Sequence, residues 1–339
     1  MKLSRRGLLA GATAGMAAPA ILHWPANAAE FTYKCGASLP DGHPMAIRAR
    51  EAMQKIKEES GGRLDITLYT NSVLGGDTAM ISQTIAGALE MYTLPLDLLA
   101  SKNPACGIFG VGYAFLGYDH IWEAMDGDLG NHLRGIAEQI GFHVVHNCYD
   151  HGFRQITTRT KPIEKPEDLK GFKIRLPVAP YFIALFQRLG ASPTPINFAE
   201  VYSALQTGVV DGCENTPSNY LTQKFYEVQK DITVSYHAHL QYAVIVNSKF
   251  WNGLPPDIRK QLDKAMDEAT DYTNSIAVKE NEDALADIKK SGKTTLHYLT
   301  DDQRKAWQTA MRPTYAWAKG RVGQEILDLI AKELDVKMN

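Results

Sequence analysis

The residues best suited to chemistry fall in one stretch, from Gly152 to Asn215. Arg154 stands in Gly-Phe-Arg-Gln-Ile-Thr-Thr and Arg175 in Gly-Phe-Lys-Ile-Arg-Leu-Pro, and the stretch closes on Asp-Gly-Cys-Glu-Asn, residues 211–215. A guanidinium is a flat fork of donors that matches both oxygens of a carboxylate. Two such forks and one amide, placed at strand ends, suit a small organic anion. Each residue also has a structural reading. Arg175 can pair with an acid such as Asp168, Arg154 can be a surface or hinge arginine, and Asn215 can cap the helix that Pro217 opens.

Other residues join the candidate set. Asp77 follows Gly75-Gly76, where an acid either caps a helix or faces a cleft. Phe115, Tyr149, His151 and Phe153 are rings that can line a pocket or pack a core. His237 and His239, two apart on an expected strand, share a face. Two histidines do not complete a metal site, so they read as a hydrogen-bonded pair near a hinge. There is no phosphate loop after the first strand, no nucleophile elbow and no zinc-protease motif.

The Lys-Ile-Arg-Leu-Pro and Asp-Gly-Cys-Glu-Asn motifs, in this order, resemble the extracytoplasmic solute receptors of tripartite ATP-independent periplasmic (TRAP) transporters. The likeness runs from about Phe31 to near the end of the chain. It implies that Arg175 clamps a ligand carboxylate, that Asn215 fixes its orientation, and that Arg154 is a second donor to the carboxylate or a neighbouring oxygen. Glu214 is then a candidate to orient Arg175. The Asn-Ser-Val-Leu-Gly-Gly-Asp turn, residues 71–77, matches the family's strand-to-helix turn, but Val73 stands where members often carry glutamine. With one amide fewer and Phe115, Tyr149, His151 and Phe153 as lining, the expected ligand is an aromatic or 2-oxo monocarboxylate. A C4-dicarboxylate or a sugar acid stays open. The resemblance further implies a receptor and not an enzyme; no cofactor and no metal ligands are expected, and a cation that assists binding stays open. Its partners would be the organic carboxylate and the large and small membrane subunits of an ion-driven permease. Two other readings stand beside it: an exported cofactor-dependent enzyme acting on a carboxylate, and a sensory ligand-binding module.

The chain begins with a targeting pattern. Arg5-Arg6 precede an apolar run from Leu8 to Leu22, and Ala26-Asn27-Ala28 offers small residues for cleavage. A twin-arginine-type signal over residues 1–28 is expected, and with it a periplasmic location. The whole chain has 36 basic and 38 acidic residues. Removing Lys2, Arg5 and Arg6 makes it more acidic, which argues against nucleic acid as a partner. Cys35, Cys106, Cys148 and Cys213 are too scattered for a zinc site, and buried free thiols are as acceptable as a bridge. A monomer and a dimer are both compatible with the sequence.

The elements that must position these residues alternate between strand and helix, which predicts parallel pairing in an α/β fold. The expected architecture is a two-lobed periplasmic binding protein of type II with its ligand cleft between the lobes. Lobe I takes residues 29–151 and 240–278, and lobe II takes 152–239 and 279–339. The run from Asp257 to Lys290 has no glycine or proline and carries apolar residues at helical spacing. The resemblance favours one long helix spanning both lobes, against two helices broken near Asn274-Ser275. Helices are also expected over Asp77–Leu89 and Tyr118–Ile140, and strands over His143–Asn147 and Val209–Cys213. One long segment covers Ile232–Asn247. A capping box at Thr300 to Gln303 should open a helix that runs to Gly320 or Gly323.

Overall fold

The computed structural model of the protein describes residues 29–145 and 148–334. The expected signal segment lies outside them, as do positions 146 and 147 of the strand expected over His143–Asn147.

Strand β1 (Phe31–Ala37) leads to Pro44, whose fixed φ and missing N–H suit the first position of α1 (Pro44–Glu59). Met45, Ala49, Ala52, Met53 and Ile56 of this helix are buried. Two glycines at positive φ, Gly61 and Gly62, turn the chain into β2 (Leu64–Tyr69), which pairs parallel to β1. Helix α2 (Asp77–Ala86) ends on the left-handed Gly87, and β3 (Met91–Pro95) returns parallel to β1 on its other side. Helices α3 (Tyr118–Asp126) and α4 (Asp128–Gln139) then lead to β4 (Phe142–Val144). Strands β5 (Tyr149–Phe153) and β6 (Gln155–Thr158) follow almost without a break, in different sheets.

Strand β7 (Lys173–Leu176), α5 (Pro180–Arg188), β8 (Ser192–Pro195), α6 (Val201–Thr207), β9 (Gly212–Asn215) and α7 (Pro217–Thr222) form a second alternating series. Strands β10 (Asp231–Val234) and β11 (His239–Asn247) precede α8 (Ser248–Gly253), α9 (Pro256–Lys290) and β12 (Thr295–Tyr298). The first sheet has the order β2-β1-β3-β11-β4 with β5 also on β11, and the second runs β12-β10-β6-β9-β7-β8. The fold is therefore the expected α/β architecture with two sheets. Helix α9 is continuous over 35 residues and touches α1 and β5 as well as α7 and β12. Each of the two buried apolar clusters draws side chains from elements of both sheets.

Several boundaries differ from expectation for local reasons. The helix expected over Tyr118–Ile140 is two, because Gly127 takes an extended conformation with ψ −154°. The strand expected over Val209–Cys213 sits later, at Gly212–Asn215. The single segment over Ile232–Asn247 is β10 and β11 in separate sheets, with Tyr236 between them at φ +48°. The capping box is present, with Gln303 N donating to Thr300 Oγ1 and Thr300 N to Gln303 Oε1. Its helix α10 (Asp301–Met311) nevertheless stops ahead of Pro313, which cannot donate a backbone hydrogen bond. Pro313 opens α11 (Pro313–Val322), and α12 (Gln324–Leu334) follows. All four cysteines are free and buried. Among the described residues no helix is long and apolar enough to cross a membrane.

Candidate functional site

The carboxyl ends of parallel strands from both sheets converge on one point. Strand β1 ends before Ser38, β3 at Pro95, β7 before Pro177 and β9 at Asn215. In α/β sheets this is where ligands are held. A narrow cavity of about 20 Å³ lies between these ends, lined by Ser38, Asp77, Pro95, Leu98, Arg154, Arg175, Pro177, Phe198, Asn215, Asn219, Leu240 and Tyr242.

Arg175 stands opposite Cys213 of β9 and Thr194 of β8, in the interior of the second sheet. Its Nε and Nη2 both donate to the carbonyl of Ile196, at 2.9 and 2.6 Å. Among the described residues no carboxylate pairs with it, although it is only 2% exposed. Burial pulls its pKa below the ordinary arginine value. The nearby charges of Glu214 and Asp77 offset only part of this burial, and a buried cation with no carboxylate in contact is stabilised when an anion meets it.

Arg154 is placed differently. Gln155 and Ile156 of β6 lie opposite Asn215 and Glu214 of β9, which brings the preceding Arg154 beside Glu214. Gly212 makes this approach possible, since a Cβ there would stand 1.9 Å from the carbonyl oxygen of Thr157. Nη1 of Arg154 donates to both Glu214 oxygens at 2.9 Å, and Nη2 to Asp97 Oδ2 at 3.0 Å. Its guanidinium lies 4.5 Å from the ring centre of Phe182. Burial opposes the Arg154 charge, but Glu214 and Asp97 outweigh it and raise the pKa. Burial pushes Asp97 up to about 6 despite Arg154, with Glu214 adding repulsion. Glu214 is buried too, yet Arg154 and His237 hold it below the usual carboxylate range. Glu214 therefore orients Arg154 and not Arg175, as strand register dictates.

Asn215 Oδ1 accepts from Thr216 N at 2.9 Å and from Asn219 Nδ2 at 2.7 Å, which turns its own amide nitrogen away from these donors. Asp77 Oδ1 accepts from the Tyr92 hydroxyl at 2.6 Å. Four of the expected residues thus meet at the cavity: Asp77, Arg154, Arg175 and Asn215. The four rings do not line it. Phe115 stacks on Phe109 in the core. Tyr149 is buried in the other cluster. The His151 ring meets the Thr216 hydroxyl at 2.9 Å and lies 4.7 Å from His43, and burial holds its pKa well down. Phe153 packs edge-on against Tyr118 and His239. Nor do the two histidines bond each other: His237 meets the Ser235 hydroxyl and His239 meets Asp150, both at 2.8 Å. Among the described residues no cluster of potential ligands could hold a metal ion.

Sequence reasoning missed Ser38, Pro95, Leu98, Phe198, Asn219, Leu240 and Tyr242. Several of these stand at or just beyond strand ends, so the strand-end rule applied to each expected strand would have reached them.

Comparison with known proteins decides the family. The profile of bacterial extracellular solute-binding proteins, family 7 (DctP), matches residues 35–320. The chain belongs to this family. A C4-dicarboxylate-binding periplasmic protein DctP of Rhodobacter capsulatus is 38% identical over 331 residues, 96% of this chain and 97% of the relative. A TRAP periplasmic solute-binding protein of Sulfurospirillum deleyianum, solved with bound succinate, superposes with a TM-score of 0.85 at 35% identity. That match covers 91% of this chain and 100% of the other. The sugar-acid-binding protein DctPAm of Advenella mimigardefordensis, in complex with galactonate, gives a TM-score of 0.85 at 26% identity, covering 89% of this chain and 98% of its own. This family 7 chain is thus a TRAP-type periplasmic solute receptor for organic acids, a binding protein and not an enzyme. Receptors of this type work with membrane permease subunits.

Proposed function

We propose that the protein captures a small organic acid in the strand-end cavity, with Arg175 as the carboxylate clamp, and presents it to a TRAP permease. The observation that carries this reading is the buried Arg175 guanidinium, which has no acidic partner among the described residues and borders the cavity. Its Nε edge is occupied by the Ile196 carbonyl, so a carboxylate would be met from the Nη1 side. Asn215 supplies an amide donor beside it. Arg154, already neutralised by Asp97 and Glu214, contributes its position and field more than a free charge. Asp77 and Asn219 offer acceptors to ligand hydroxyls.

The first sheet and the elements around it would form one lobe and the second sheet the other, with residues 29–151 and 240–278 against the remainder. A ligand touched from both sides favours the closed arrangement. The aromatic-acid preference loses its support, since Phe115, Tyr149, His151 and Phe153 lie away from the cavity. The succinate and galactonate named for the structural relatives become the first acids to try. Export is proposed to follow the twin-arginine route. Replacing Arg5 and Arg6 by lysine should leave the precursor in the cytoplasm, and unchanged export would remove that route.

Thermal melting against a panel of organic acids and their amides tests the capture reading, because a ligand selective for the folded state raises the melting temperature. Stabilisation by an acid and not by its amide is expected. Equal stabilisation by both would exclude a carboxylate clamp.

A further inference from the structure

Two residues from opposite walls of the cavity meet beside Asp77 and Arg175. Gly76 is the N-cap of α2 and precedes Asp77. Asn197 follows Ile196, whose carbonyl receives both Nε and Nη2 of Arg175. A Cβ at Gly76 would lie 2.8 Å from Asn197 Cγ and 3.0 Å from each of its amide atoms. The backbone of Gly76, with φ −69° and ψ 167°, is open to any residue. A side chain at position 76 would therefore meet no local strain, but it would run into the Asn197 amide across the cleft and force that amide to turn aside. Asn197 Oδ1 is buried with no hydrogen-bond partner, so that oxygen makes no bond that its removal would break.

We propose that Gly76 and Asn197 form a closure latch: the two walls seat fully around a ligand only because position 76 carries no side chain. The loop that seats against Gly76 is also the loop that orients Arg175, so closure and clamp geometry are set together. This rests on the capture reading above. A substitution that hinders seating reduces the population of the binding-competent form and weakens affinity by the same fraction.

The test is a double-mutant cycle read by calorimetric titration with succinate and with galactonate. Gly76→Ser adds the Cβ together with a side-chain oxygen of the kind favoured at an N-cap, where Gly76 offers none. It should weaken binding about tenfold or more by depleting the closed form, with release accelerated more than association is slowed. The melting temperature without added acid should stay at the wild-type value. Gly76→Ala should weaken binding likewise. Asn197→Ala alone removes one side of the latch and should weaken binding less than Gly76→Ser does, and the Gly76→Ser, Asn197→Ala double variant should recover affinity to the level of Asn197→Ala alone. Such rescue by deleting a second side chain is not expected of a general structural defect. Wild-type affinity in both Gly76 variants, or a double variant as weak as Gly76→Ser alone, would overturn the latch. If neither acid binds the wild-type protein, the capture reading is in question and the contact is read without ligand. For that, Gly76→Cys and Asn197→Cys are combined and oxidised. A disulfide requires Cβ atoms within about 4.5 Å, so cross-linking supports the contact and its absence overturns it.

Discussion

Arg154 is held between Asp97 and Glu214, so its charge is already answered, whereas among the described residues the equally buried Arg175 has the Ile196 carbonyl as its only hydrogen-bond partner, with the Phe198 ring nearby. The same substitution should therefore read out differently at the two sites. Arg175→Ala should lose about 2–5 kcal/mol of acid binding while melting without ligand holds or rises. Arg154→Ala leaves two carboxylates buried and should cost about 3–5 kcal/mol of folding stability in urea titrations. Equal loss of stability in both variants would contradict this division. Asp97 gives a pH signature. Burial raises it to about 6, against about 3.9 in an unfolded chain. Between these values the folded protein holds a proton that the unfolded chain releases, so this group adds stability as pH falls from about 7 toward about 4. Glu214, held low by Arg154 and His237, acts oppositely: its contribution is present above the ordinary glutamate range and is lost as pH falls below it. Asp97→Asn should flatten the pH dependence between 7 and 5 in denaturant titrations, and an unchanged slope would show that another group sets it.

At the scale of elements, β9 is the piece on which the site hangs, because it lies between the strand carrying Arg175 and the strand that follows Arg154. Gly212→Ala would drive a Cβ into the Thr157 carbonyl and should destabilise the protein by about 3 kcal/mol or more, lowering its melting temperature well before any change at the cavity is considered. A wild-type melting temperature would mean that the two strands can separate at little cost. The strongly patterned elements were legible in the sequence. Helix α9 carries its apolar spacing without glycine or proline, and the box at Thr300 and Gln303 caps α10 as written. The break at Gly127 was not legible, since a glycine inside a periodic stretch is compatible with a continued helix. Arg175 and Asn215 were legible through their motifs. The rings were misplaced because alternation along a strand says which side chains share a face but not whether that face meets cleft or core. Phe153 and Tyr149 both point into packing that only the pairing of β5 with β11 defines. Asn219 was missed for a related reason: it reaches the cavity from one helical turn beyond Asn215.

At the scale of the molecule, two sheets meet at their strand ends while α9 lies along both, so closing the cleft should move the sheets without unfolding either. Small-angle scattering should show a smaller radius of gyration when a stabilising acid is added, and an unchanged radius would argue for a cavity that is preformed. The four cysteines bear on how such motion is followed. Burial pushes the thiols of Cys35, Cys106, Cys148 and Cys213 up to about 12, which leaves them protonated and poor nucleophiles at neutral pH. Val73, 66% exposed, sits in the turn just ahead of Gly75-Gly76, four residues before the cavity-lining Asp77. A Val73→Cys variant would then offer a maleimide dye one fast-reacting thiol on an otherwise silent background. The native cysteines need not be removed, and the chain becomes a scaffold for an optical sensor of whichever acid it holds.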